Sequence, residues 1–359
     1  MKNFVFYKIL AAILVVLLIL AGCSSQLTVL EDNETIVQLS PCVHWVGAVT
    51  NQGNCYIRGV ALSDQFFFGV PDIKGFNSTK GKQFVQIYNK GDARCISLSS
   101  TGGCITTNNG EVFLFLNGTD GWKEHQFEND ELKFRTPELF YSGCRYAKLS
   151  NGEERVYLVL ENNDLGYVNI DTPSDWHYIC GNVEKFMESC TADKTLLIVL
   201  TMDHHLIVLD SENDFSLEYE LLDNVLDFDA FNNGKNSIPS LIISDESLDA
   251  YISSDNNMDS FEFLADKGNY ERIGESITTV AAYNRGAAMM DSDGNVSLYG
   301  SDLSSGQYSQ IYNGEVVFTN VSFVSGDPKH LYIIRDNGEF EYFGKTFDGW
   351  NNNTIVSGF

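Results

Sequence analysis

Eight cysteines and six histidines are the residues with the most specific chemistry available to this 359-residue chain. Apart from Cys23, Cys42 and Cys55, Cys95 and Cys104, and Cys180 and Cys190 are separated by 13, 9 and 10 residues. In an oxidising compartment these spacings suit three disulfides, each stabilising by about 2–3 kcal/mol in the entropic account. Cys144 is left over, and buried free thiols explain the same residues equally well, because spacing does not fix connectivity. No C-x-x-C occurs, which argues against a thiolate zinc site. His204-His205 follow Asp203 and together could hold a transition metal, but a solvated turn fits the triplet better. Asp291-x-Asp293-Gly294 has part of a calcium loop, with Met289 standing where that loop needs an oxygen. No phosphate-binding glycine loop, nucleophile elbow or His-Glu-x-x-His helix is present. The sequence predicts no metal and no cofactor, and it singles out no catalytic residue among 49 acids.

Those acids face only 23 basic residues, for a net charge of −26. Nucleic-acid affinity rests on Lys and Arg neutralising phosphates, so a nucleic-acid partner is not expected. Anionic membrane surfaces are disfavoured for the same reason. With 43% hydrophobic residues, 24 Phe and 17 Tyr, the chain is too apolar for disorder and leans towards an all-β fold.

The N-terminus carries Lys2 and Lys8, an apolar run from Ile9 to Leu20, and then Leu20-Ala21-Gly22-Cys23. Twelve apolar residues are short of the ~20 that a membrane helix needs and fit a signal-peptide core. The tetrapeptide resembles a bacterial lipobox. That resemblance implies cleavage before Cys23, diacylglycerol on its sulfur and a further acyl chain, such as palmitate, on its amine. A single chain anchors only marginally, which is why several are used. The expected division is a lipoprotein signal peptide over 1–22, the lipidated Cys23 and a tether over 23–33, and one domain over 34–359. The expected location is the extracytoplasmic face of a bacterial membrane, held there by the lipid alone.

A repeat organises the rest. Turns at Asn109-Gly110, Asp293-Gly294 and Asn337-Gly338, where positive φ favours glycine, are each followed by alternating apolar residues. Looser copies centre on Ser63, Asp164, His204 and Glu246, so seven anchors recur at gaps of 40–54 residues. A second landmark, a short apolar segment at Ile36–Leu39, Phe84–Ile87, Leu139, Ile179, Leu221, Ile273 and Ile311, precedes each anchor by 21–27 residues. Four short strands fit each module; in the first these are 36–39, 43–48, 56–62 and 65–69. Seven such modules predict a seven-bladed β-propeller of four-stranded blades.

Module six has an apolar strand (Ile277–Ala282), small residues (Ala287-Ala288), Asp293-Gly294, Tyr299-Gly300 and Gly306-Gln307, in that order. This resembles the repeat of the regulator of chromosome condensation propellers. Modules one, two and seven are fair matches, and modules three to five match in spacing alone. The resemblance implies ring closure by residues 34–39 completing the last blade, with Thr354-Ile355-Val356 as competitor. It also implies a docking platform on one face, since the family includes nucleotide-exchange factors and a secreted β-lactamase inhibitor protein.

Two long connections at the same point of the repeat suit that platform. Residues 117–134 carry Trp122, Phe127 and Phe134, and residues 253–270 carry Phe261, Phe263 and Tyr270, both among acids. Aromatic anchors on long loops favour protein binding, here to a partner with a basic surface. The alternatives are a propeller hydrolase or lyase acting on envelope polysaccharide, with carboxylates or histidines at the central channel, and an envelope-assembly scaffold.

Overall fold

The computed structural model describes residues 33–42, 45–59, 84–99, 102–116, 137–150, 155–190, 195–210, 214–231, 240–253, 264–283, 286–301, 311–327, 330–344 and 356–357. They form 28 strands in seven four-stranded antiparallel sheets, the blades of a seven-bladed β-propeller. The innermost strand of each blade comes first in sequence: Ile36–Cys42, Ala93–Leu98, Cys144–Leu149, Val183–Cys190, Val225–Phe231, Ile277–Tyr283 and Val321–Gly326. Among the described residues no helix is long and apolar enough to cross a membrane.

Burial explains which segments become which strand. The second strands, such as Gly102–Thr107 and Ser240–Asp245, are buried at every position because neighbouring blades cover both faces. Outer strands, such as Glu138–Ser142, stay largely open. The core therefore lies between blades. Leu196 and Ile198 of the fourth blade pack with Phe228, Leu241 and Ile243 of the fifth. Ile36, Leu39 and Val46 of the first blade pack with Tyr332, Ile334 and Phe340 of the seventh, which closes the ring.

Two devices recur in all seven blades. The turn between the second and third strands holds one residue at positive φ: Gly53, Gly110, Asn163, His204, Leu248, Gly294 and Gly338 in order. From Gly53 to Gly294, the carbonyl of each accepts the N–H of the first inner-strand residue of the next blade at 2.8–3.0 Å. Every inner strand also bulges at its second residue: Val37, Arg94, Arg145, Glu184, Leu226, Thr278 and Ser322. Bulges re-aim side chains, and these seven form a ring at one end of the channel.

Three expectations are corrected. Residues 34–39 do not complete the last blade. Ile36–Cys42 is the inner strand of the first, where Ile36 and Leu39 are buried, and Val356–Ser357 pairs with Glu341 and Tyr342 as the fourth strand of the seventh. The first hairpin turns at Gly53 rather than Ser63, and its blade is completed by Val85–Tyr88; residues 63 and 65–69 lie outside the described residues. Finally, the landmark segments from Phe84–Ile87 to Ile311 mark the outer strand of the blade before the anchor each precedes.

Candidate functional site

The ring has two unlike faces. One carries the tight turns and the short connections between blades. The other carries the connections from third to fourth strand, which run over 60–84, 117–137, 170–171, 211–215, 254–269, 302–310 and 345–355. Five of the seven are long, and both expected loops are among them. Trp122, Phe127, Phe134, Phe261 and Phe263 lie outside the described residues, but the strands that flank them end on this face. Tyr270 is corrected: it opens an outer strand, is buried in the core between the fourth and fifth blades, and donates its hydroxyl to the Leu264 carbonyl at 2.9 Å. Burial of that ring outweighs any role as a surface anchor, and pushes its hydroxyl well above the usual tyrosine range.

Along the channel, the inner strands expose their free edges, and backbone groups there need partners. Side chains of the preceding blade supply them. Gln38 Oε1 accepts from the Ile96 N–H at 3.0 Å, and Ser40 Oγ from the Leu98 N–H at 2.9 Å. Asp227 and Asp229 repeat this between the fifth and sixth blades, accepting from the Val280 and Ala282 N–H groups at 3.0 and 2.8 Å. Cations cap carbonyls in the same way. Lys185 Nζ donates to the Phe228 carbonyl at 2.6 Å and to Asp227 Oδ1 at 2.7 Å. Burial works against the Lys185 charge, but Asp227 and Asp229 outweigh it and hold the ammonium above its ordinary value. Burial dominates at Asp229 and raises its carboxyl, against the pull of Lys185 and of the Ala282 and Ala230 N–H groups. Arg145 donates through its Nη2 to the Val183 and Glu184 carbonyls at 2.6 and 2.9 Å.

Between these groups lies a cavity of about 470 Å³ bounded by the first four blades. Arg94, Arg145, Lys185 and Gln38 give it polar heads, and Tyr146 and Phe186 form an aromatic wall, their rings edge to face at 5.7 Å. Sequence reasoning misses this site because its residues come from four blades and none has a local signature.

The His204-His205 pair and Asp327 are spent elsewhere. His204 Nδ1 lies 2.7 Å from Glu246 and His205 Nδ1 2.6 Å from Asp223, so the adjacent pair diverges to separate partners. Asp327 is bound to buried His330 and to the Tyr332 hydroxyl at 2.8 Å. Among the described residues no three His, Cys, Asp or Glu converge as metal ligands.

The three expected disulfides are not formed. Cys55, Cys95, Cys104, Cys144 and Cys180 are free thiols. Cys42 sits opposite Trp45 and Cys55 opposite Val49, at opposite ends of their blade. Cys95 faces Thr106 while Cys104 faces Ser97, a diagonal of roughly 7–8 Å that exceeds disulfide reach. Cys180 faces Leu165 in the third blade, and Cys190 faces Thr195 in the fourth. Burial raises the thiols, Cys144 to about 12 and Cys180 to about 11.

The sequence matches no family model and no curated protein. Solved structures match in fold. Prp20p from Saccharomyces cerevisiae, described with its binding to Gsp1p and histones, aligns at TM-score 0.52 and 13% identity over 82% of this chain and 80% of that one. The β-propeller domain of Cps50 (Swd1) from Myceliophthora thermophila aligns at TM-score 0.53 and 12% identity over 89% and 99%. At such identities the likeness is one of fold.

Proposed function

We propose that this chain is a lipid-anchored, extracytoplasmic binding module whose partner is a protein with a basic surface, docking on the face of the long connections. The observation that carries the reading is the gathering of five long third-to-fourth-strand connections on one face, opposite a face of tight turns. Trp122, Phe127, Phe134, Phe261 and Phe263 fall in two of them, and aromatic anchors are what protein interfaces use. The protein-binding of Prp20p supports such a use of the fold by analogy. Cys23, acylated at sulfur and amine, would be the anchor. Residues 33–35 meet the ring at the tight-turn face, so a tether from Cys23 directs the long connections away from the bilayer.

Crosslinking of the anchored chain in its native envelope, followed by mass spectrometry, tests this. The expected result is a protein crosslinked to 117–137 or 254–269, lost in Trp122→Ala/Phe127→Ala and weakened as salt rises. Crosslinks confined to the tight-turn face, or salt-insensitive capture of a neutral glycan, overturn it. Labelling with palmitate that persists in Cys23→Ala overturns the anchor.

A further inference from the structure

We propose that the cavity at the tight-turn end of the channel binds a small organic oxyanion, a carboxylate or phosphate head on a ring-sized apolar body. In a chain of net charge −26, three cations line this one cavity against a single lining carboxylate, Glu184. The three are not equivalent. Lys185 is neutralised by Asp227. Arg94 lies 3.6 Å from Glu161 with its side chain 40% exposed, so that link is weak and easily exchanged.

Arg145 is the decisive group. Its guanidinium is held by two carbonyls, which accept hydrogen bonds without cancelling its charge. Among the described residues no carboxylate lies within ion-pair distance of it, and its buried Nε has no hydrogen-bond partner. A half-buried cation in that state is costly unless an anion completes it. A guanidinium whose Nη2 is held by carbonyls keeps its full charge for an oxyanion, the recognition for which Arg is suited.

Size and wall agree with this reading. About 470 Å³ falls within the ~300–1,000 Å³ of small-molecule sites. Tyr146 and Phe186 offer apolar surface to the ligand body, and Gln38 is fixed by its bonds to Ile96. Arg94, Arg145 and Glu184 all occupy bulge positions, where the backbone turns side chains towards the channel. The cavity opens on the face opposite the long connections, so this proposal does not depend on the protein-binding reading.

The test is isothermal titration of the full chain in detergent, at low salt, with phenyl phosphate and with benzoate. Binding of either at a Kd of about 1 mM or tighter is expected, and the stronger of the two assigns the head group. Arg145→Met should weaken binding by about tenfold or more, while Arg145→Lys, which keeps the charge but lacks the planar fork, should lose an intermediate amount. If Arg145→Met does not fold, Arg94→Met takes its place, with a loss of about threefold or more expected. Heats no larger than dilution for both anions, or equal binding by the wild type and a folded methionine variant, overturn the proposal. Loss of the envelope crosslinks with anion binding intact would count against the protein-binding reading alone.

Discussion

Gly338, in the hairpin of the seventh blade, stands against Thr35 at the start of the first: a Cβ at Gly338 would fall 2.5 Å from the Thr35 Cβ. The two residues meet at the seam of the ring, and Gly338 holds φ +81°. Gly338→Ala therefore combines a left-handed backbone cost with a clash and should lose about 2–4 kcal/mol of stability. Gly143→Ala has a similar φ of +85° but open space around it, and should lose only about 1 kcal/mol. Thr35→Gly should restore part of the loss in Gly338→Ala and none in Gly143→Ala. Denaturant titration of the four variants reads this directly.

Asp227 joins three blades, taking Lys185 from the fourth and the Val280 N–H from the sixth. Asp227→Ala strands both partners and should cost about 2–3 kcal/mol. Adding Lys185→Met removes the stranded ammonium, so the double variant should be less destabilised than the sum of the singles. Additive losses in a double-mutant cycle would show that the pair is not coupled.

Asp291 gives an acid limb to stability. Burial works to raise its carboxyl, but the Asn295 side chain and the N–H groups of Asn295, Asp293 and Gly294 prevail and hold it below the usual carboxylate value. A group depressed on folding stabilises above its unfolded value, about 3.9, and that stabilisation is lost as pH falls through the lower folded value. The melting temperature of Asp291→Asn should fall less steeply than wild type below about pH 4. Identical slopes would remove Asp291 from the acid limb.

Thiol chemistry separates free cysteines from paired ones. Denatured without reductant, the chain should alkylate at Cys55, Cys95, Cys104, Cys144 and Cys180, as the free thiols require. In the native state Cys55, Cys104 and Cys144 should stay unmodified near neutral pH, because burial keeps them protonated. Peptide mapping that finds a Cys95–Cys104 or Cys42–Cys55 crosslink would contradict the strand register.

Gly110, Gly294 and Gly338 made three hairpins readable from sequence, because a left-handed turn residue without a Cβ is the cheapest solution. The fourth and fifth blades put His204 and Leu248 in the same conformation, and with no glycine there the repeat spacing alone places anchors at His204 and Glu246. The near-constant spacing from landmark to anchor has a physical origin: it spans part of an outer strand, an inner strand and a second strand with the connections between them, the longest of which is eight residues. Most of the variation falls in the third-to-fourth connections, which run from 2 to 25 residues against 2 to 8 for the first-to-second ones, so the irregular intervals mark the face that differs from blade to blade. Arg94, Arg145 and Lys185 could not be found this way. Their convergence depends on ring closure and on bulges, neither of which has a local pattern.

The first inner strand sets how this ring bears load. Residue 33 enters at the tight-turn face and leads directly into Ile36–Cys42, paired from Ile36 with Thr50 to Cys42 with Trp45. Hydrogen bonds between antiparallel strands run perpendicular to the chain. Tension applied through residue 33 along the strand therefore shears the whole ladder at once and does not peel it bond by bond. Attachment at this end resists force where attachment through the two-residue strand Val356–Ser357 would yield.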